Sequence, residues 1–418
     1  MLSYREAREI VVKRLQAIPR TVETESVPLR QSLGRFLACD VKSDRDYPPF
    51  DRSIRDGYAV RAADTGVGVR LKCIGELKAG DTPSVEVTEG TCVEIMTGAA
   101  VPAGADAVVM VEHVRLKDSW QERTRHGQKG CEGAMVTLDR AVPTGRHVVR
   151  RGSEAAAGQT VLTAGRRVGF ATVAWAAQVG AASLVVARKP RVAVLTTGDE
   201  LVEIHEVPGP FQIRNSNAES IAAQVSLQLA EAVVLGNAKD SKDALRAKVL
   251  QGLEADMLIL SGGVSMGKYD LVEPVLRELG AETVFDAVAI RPGKPTVLAI
   301  CQGKPVFGLP GNPVSTMVTF DLFVPPALDI LAGADEARPL PFTDAILTEA
   351  ITEKPGLTHF LPAKQMWPGS TPRVTPVVWQ GSGDVAAMTR ANCLLVVPAE
   401  RERIEAGERV QVLPRGLW

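Results

Sequence analysis

The chain is poor in the residues that build metal cages and disulfide scaffolds. Its six cysteines, Cys39, Cys73, Cys92, Cys131, Cys301 and Cys393, are spread over 418 residues with no C-x-x-C pair. That argues against a zinc ribbon and a small stapled fold. Reduced, scattered thiols suit the cytoplasm. The five histidines, His113, His126, His147, His205 and His359, make no H-x-x-x-H pattern, so a histidine zinc site is not expected. There is no G-x-S-x-G elbow for a serine hydrolase and no G-x-G-x-x-G for dinucleotide redox chemistry. An excess of one charge is missing too. Lysine plus arginine number 48 against 49 aspartates and glutamates, so no bulk field draws the chain to nucleic acid or an anionic membrane. No uninterrupted run of ~18 apolar residues occurs, and the opening "LSYREAREIVVKRL" is charged from Arg5 onward, which leaves no apolar stretch of the kind that directs secretion. A soluble, cytoplasmic protein is the expectation.

What is present is a change of texture along a chain long enough for two to four domains. Ser3 and Glu6 make a capping box, and Ala7, Ile10, Val11, Leu15 and Ile18 follow at helical spacing. Short β-branched runs broken by Gly and Pro then suggest an all-β insert. After "RRGSEAAAG" an alanine-rich helix over 168–179 is expected to pack back on the first helix. "RVAVLTTGDEL", "EAVVLGNAKD" and "ADMLILSGGVS" are apolar runs separated by helical patterns, the signature of a mostly parallel sheet covered on both faces. "CLLVVP" and "ERVQVLP" return to β texture. The predicted fold is therefore α/β multidomain: a split helical linker domain (residues 1–42 and 145–186), an all-β insert domain (43–144), a central mostly parallel α/β sheet module (187–333) and a C-terminal β domain (334–418).

In open α/β sheets ligands bind beyond the carboxyl ends of the strands. Three strands end there in "TTGDEL", "SGGVSMGKYD" and "GLPGNPVS". Glycines let backbone amides approach a ligand, and amides at a helix start point toward an anion. Three such loops on one edge would make a phosphate-sized nest. Gly262 to Lys268 matches G-x-x-x-x-G-K, but the next residue is Tyr269, where a P-loop needs Ser or Thr for magnesium. Asp199, Glu200, Asp240 and Asp270 all fall just after strand ends. Each of the aspartates suits helix capping; together the four suit a divalent cation bridging them to a phosphate. "AIRPGKP" adds Arg291 and Lys294, which could hold a second oxyanion or simply face solvent. "YPPFDRSIRDGYAV" and "MTGAAVPAGADAVVM" read as fixed turns of the β insert, with Asp56 before Gly57 as the residue to question.

In their order, "PPFDRSIRDGYAV", "MTGAAVPAGADAVV", "TTGDEL", "SGGVSMGKYD", "RPGKP" and "GLPGNPVS" closely resemble the MoeA family, which includes the gephyrin E domain. The resemblance extends over nearly the whole chain. It implies a molybdopterin molybdenumtransferase: an elongated homodimer of four domains whose α/β domain is similar to molybdopterin adenylyltransferases. It would insert molybdate into adenylylated molybdopterin and release AMP and molybdenum cofactor, with a divalent cation, usually Mg2+, assisting. Partners so implied are the adenylyltransferase and the enzymes that accept the cofactor; the alternative is a pterin-binding scaffold paralogue without turnover.

By position, the resemblance places Gly262, Gly263, Ser265, Gly311, Asn312 and Ser315 on the nucleotide and pterin phosphates. Asp199, Glu200, Asp240 and Asp270 become the metal-binding, catalytic acids. Arg291, Lys294, Pro295 and Ser315 would place molybdate, and Asp56 and Thr97 would reach that pocket from the other subunit. This chain departs from the usual "FDNSAM" with "FDRSIR", adding Arg52 and Arg55. It has Glu154 where many relatives carry Asp. In the last domain "HFLPA" sets Pro362 at a usual arginine position, with Lys364 a candidate substitute.

Overall fold

The computed structural model describes residues 1–116, 132–239, 241–263 and 271–415. The helix Tyr4–Gln16 starts as its capping box predicts: the Ser3 hydroxyl accepts from the Glu6 amide at 3.3 Å and the Glu6 carboxylate accepts from the Ser3 amide at 2.8 Å. Tyr4, Ala7, Val11 and Leu15 recur three and four apart, so they share one face, and that face is buried. It lies in the core of the central module. The alanine-rich helix Phe170–Gln178 packs elsewhere, with Val27, Leu37, Leu162 and Leu184. The expected pairing of these two helices is thus corrected, because the apolar face of the first helix finds a larger apolar surface on the central module.

Chain pairings tie the two sides of the insert together. Thr24–Pro28 runs antiparallel to Ser183–Ala187, and Val41–Lys42 antiparallel to Thr160–Leu162. Between them lies a six-stranded sheet whose first strand in sequence is Gly57–Val60.

The central module alternates strand and helix: β1 (Arg191–Thr197), α1 (Ser216–Leu227), β2 (Glu231–Ala238), α2 (Lys242–Gly252), β3 (Met257–Ser261), α3 (Val272–Glu278), β4 (Glu282–Phe285), β5 (Val297–Cys301), β6 (Lys304–Leu309) and α4 (Pro313–Leu331). Its sheet order is β2-β1-β3-β6-β5-β4. The pairings β1–β2, β1–β3 and β3–β6 are parallel; β5–β6 and β4–β5 are antiparallel. Alternate strand residues face opposite ways, and both sets are buried. Val192, Val194, Met257 and Ile259 meet α1, α4 and the N-terminal helix. Ala193, Leu195, Leu258 and Leu260 meet α2 and α3. The order 2-1-3 creates a reversal between β1 and β3, where the connections leave toward opposite faces and open a crevice at the strand ends.

α4 is, among the described residues, the one helix long and apolar enough to cross a membrane, but 83% of that window is buried within the protein. It is a core helix. The last domain closes on itself: Thr358–Met366 pairs with both Arg373–Pro376 and Cys393–Val397, and Arg409–Pro414 and Thr343–Leu347 complete a barrel. Closure leaves no free sheet edge among these strands. Cys39, Cys92, Cys301 and Cys393 are free thiols, whereas Cys73 is disulfide-bonded, which corrects the expectation of reduced cysteines throughout.

Candidate active site at the strand ends

The three glycine turns meet at the β1–β3 reversal. Gly262 follows β3 with φ +91°, a conformation that side chains with a Cβ rarely adopt. A Cβ there would stand 2.6 Å from the Thr197 carbonyl oxygen at the end of β1. The Gly262 amide donates to the Leu309 carbonyl at the end of β6, at 3.2 Å. A Cβ on Gly311 would lie 3.5 Å from the Gly262 Cα. "TTG", "SGG" and "PGN" therefore touch one another through bare backbone.

Asparagines fasten them. The Asn217 amide nitrogen, in the first turn of α1, donates to Ser261 Oγ at 2.9 Å and to the Gly311 carbonyl at 2.7 Å. Asn215 caps that helix by accepting from the Ala218 amide, and its own amide donates to Thr196 Oγ1 at 2.8 Å. Sequence reasoning missed both residues. The signal was "NSN" directly before a helical run, a capping pattern whose second asparagine turns out to bridge two strand-end turns.

α4 begins in the same place, with Asn312 at its cap and Pro313 in its first turn. Proline there costs no hydrogen bond, since first-turn amides have no partner inside the helix. Asn312 Nδ2 donates to Ser382 Oγ at 3.0 Å, and the Val314 amide donates to the Ser382 carbonyl at 2.9 Å. The C-terminal domain thus closes over one side of the α4 start. Ser315 is buried. The "RPGKP" turn packs beside it, for a Cβ on Gly293 would lie 3.7 Å from the Ser315 carbonyl and would strike the Thr319 methyl. Thr296 holds that turn by donating Oγ1 to the Gly293 carbonyl at 2.6 Å. Arg291 and Lys294 on it are exposed, and Pro295 is half-buried. Neither cation forms an ion pair within the described residues.

Of the predicted acids, Asp199 and Glu200 follow β1 and are exposed. The Glu200 carboxylate folds back over Gly198. Asp240, Ser265 and Asp270 lie outside the described residues. Among the described residues no group of three His, Cys, Asp or Glu side chains is placed to hold a metal. Asp199 and Glu200, the two described members of the predicted acidic set, are adjacent in sequence just past the end of β1. Gly263 follows Gly262 and is exposed, with φ +63°.

Asp56 and Thr97 belong to the insert. The Thr97 amide and hydroxyl both donate to Asp56 Oδ1, each at 2.7 Å. They are brought together with each other, in a different sheet from the strand-end turns. Of the two added arginines, Arg52 pairs with Glu154 at 3.1 Å and Arg55 is exposed. Pro362 is buried in the barrel, paired across from Leu394, while Lys364 on the same strand is exposed.

Comparison with known proteins agrees with this arrangement over the whole chain. Residues 2–180 match the MoeA N-terminal region (domain I and II), residues 193–329 a probable molybdopterin binding domain, and residues 344–415 the MoeA C-terminal region (domain IV). A Bacillus subtilis (strain 168) protein named molybdopterin molybdenumtransferase is 36% identical over 408 residues, covering 96% of this chain and 92% of its own. A Staphylococcus aureus (strain Mu50 / ATCC 700699) protein of the same name is 33% identical, covering 95% and 94%. The crystal structure of a molybdopterin biosynthesis moea protein from Pyrococcus horikosii, 33% identical, superposes with TM-score 0.74 over 100% of both chains. With relatives this similar along nearly its full length, and with every domain matched in order, the chain belongs to the MoeA family.

Proposed function

We propose that this protein is a molybdopterin molybdenumtransferase of molybdenum cofactor biosynthesis, taking adenylylated molybdopterin and molybdate to molybdenum cofactor and AMP. The observation that carries the reading is the contact of the Gly262 turn with Thr197 and with Gly311, at 2.6 Å and 3.5 Å from the Cβ positions. That contact gathers glycine turns without side chains and a helix start at one strand-end edge, where an anion can approach bare backbone. The relatives named molybdopterin molybdenumtransferase support the chemistry.

In this reading Gly262, Gly263, Ser265, Gly311, Asn312 and Ser315 hold the phosphates of the nucleotide and the pterin. Arg291 and Lys294, with Pro295 shaping their turn, hold molybdate: arginine by a planar fork, lysine as a point charge. Asp199 and Glu200, with Asp240 and Asp270, would hold a divalent cation such as Mg2+, which offsets phosphate charge when bound. A molybdate oxygen attacks the adenylyl phosphorus and displaces the pterin phosphate; AMP leaves keeping that oxygen as its Mo–O bond breaks, and the two dithiolene thiols form Mo–S bonds while their protons carry off a second oxo group as water. Asp56 and Thr97 complete the pocket from the partner subunit of a homodimer in the cytoplasm. The adenylyltransferase supplies the substrate, and cofactor-accepting enzymes remove the product.

The test is incubation of the full chain with adenylylated molybdopterin, magnesium and molybdate. AMP release that depends on molybdate is expected, with Asp270→Asn silent though folded. Tight pterin binding without AMP release would make the protein a scaffold instead. Light scattering should give two chains per particle.

A further inference from the structure

A second cavity, of about 420 Å³, opens where the N-terminal helix, the central module and the C-terminal barrel meet. That is within the usual range for small-molecule sites, which favour domain junctions. None of the residues assigned above to the transferase site lines it. Its walls combine an apolar surface, including Leu227, Pro325 and Leu340, with three guanidinium groups, Arg8, Arg338 and Arg415.

Charge bookkeeping across those walls does not close. Arg415 Nε donates to Asp321 Oδ2 at 2.6 Å, and Arg338 Nε donates to the buried Asp329 at 2.7 Å. Each has its own carboxylate. Arg8 does not: its Nη1 donates to the Leu322 carbonyl at 2.7 Å and its Nη2 to the Arg338 carbonyl. Among the described residues it has no carboxylate within ion-pair distance. Burial pushes the Arg8 guanidinium down to about 10, with Asp329 pulling the other way and Arg338 adding to the fall. Nearby Arg167 is also lowered, by burial first and then by Arg338. A half-buried cation that keeps its charge at neutral pH is costly unless an anion meets it. Two carbonyl oxygens satisfy some of its N–H groups and leave the net charge unanswered.

We propose that this cavity binds a small organic anion, with a carboxylate facing Arg8 and an apolar body against the leucine and proline wall. Guanidinium groups recognise planar carboxylates through paired N–H donors, and a purely inorganic ion would leave the apolar wall uncovered. Bound there, such a molecule would touch all three parts of the chain that meet at the cavity and would stabilise their junction by mass action.

The probes are hexanoate, hexanol and inorganic phosphate, titrated calorimetrically into the full-length protein. Hexanoate should bind saturably and raise the melting temperature, with hexanol and phosphate each at least tenfold weaker. Arg8→Gln should weaken hexanoate at least tenfold. Because Arg8 also ties two carbonyls, that variant could fail to fold. Leu227→Trp, at a wall position 52% exposed, narrows the cavity without touching charge and should cause the same loss. Absence of saturable hexanoate binding, equal binding of hexanol or phosphate, or undiminished binding in both variants would overturn the assignment.

Discussion

Replacing Gly262 by alanine should damage the candidate site. Two costs combine. Holding a non-glycine residue at φ +91° costs on the order of 1–3 kcal/mol. A Cβ 2.6 Å from the Thr197 carbonyl and 3.1 Å from its hydroxyl must push backbone aside, adding about 1–3 kcal/mol of overpacking. The sum is roughly 2–6 kcal/mol, a large part of the ~5–15 kcal/mol that holds a protein folded. Gly280 provides the control: it ends α3 at φ +79°, and an added Cβ would meet nothing within 4 Å. Gly280→Ala should therefore show only the first cost. Relief of the clash in Gly262→Ala would separate the "SGG" turn from Gly311, and a misplacement near 1 Å can cost ~100-fold in rate. Urea unfolding and molybdate-dependent AMP release, measured on both variants, check this. Equal stability and equal rates for the two alanine variants would refute the claim that the turn is held by backbone contact.

Asn217→Ala removes the donor shared by Ser261 and Gly311 and should cost about 1–3 kcal/mol, with weaker AMP binding by calorimetry; unchanged affinity would mean the turns hold themselves. Arg291→Ala or Lys294→Ala should raise the molybdate concentration needed for half-maximal rate about 10- to 150-fold, from the loss of a charged hydrogen bond worth ~1.5–3 kcal/mol, while leaving AMP affinity alone. Burial, aided by Glu94, pushes the Cys92 thiol up to about 12, and burial likewise pushes Cys393 up to about 12. Both stay protonated in the fold, so their contribution to stability holds below the ordinary thiol value near 9 and fades as pH climbs toward 12. At pH ~8, iodoacetamide should label exposed Cys39 and reach Cys92 and Cys393 only on unfolding, as read by peptide mass spectrometry. For Asp51, burial works to raise the carboxyl, and the Arg151 amide with the Arg150 guanidinium outweigh it, so the net shift is downward. A lowered carboxyl stabilises above its unfolded value, ~3.9, and the gain disappears as pH falls through the lower folded value. The melting-temperature gap between wild type and Asp51→Asn should close in that acid window; a gap independent of pH would contradict it.

Local signals carried far in this chain. The Ser3–Glu6 capping box, the three- and four-residue spacing of Ala7, Val11 and Leu15, and the alternation of apolar runs with helical stretches after residue 187 all act over a few residues. They are therefore readable without knowing what packs where. The same locality explains what was misjudged. Nothing between residues 168 and 179 says which partner the first helix will choose, since an apolar stripe is complementary to any apolar surface. The largest such surface was α4, more than 300 residues away in sequence. Cys73 was likewise opaque, because spacing along the chain does not report distance across it.

By itself the sequence determined element types, the mostly parallel character of the central sheet, and which glycines, acids and cations follow strand ends, since propensity and periodicity are short-range properties. Only the tertiary structure decided that Thr197, Gly262 and Gly311 touch, that Asn217 fastens two of those turns, and that Arg8 sits at a domain junction with no carboxylate of its own among the described residues. Those are consequences of strand order and of domains closing on one another, and strand order is settled by burial summed over the whole chain.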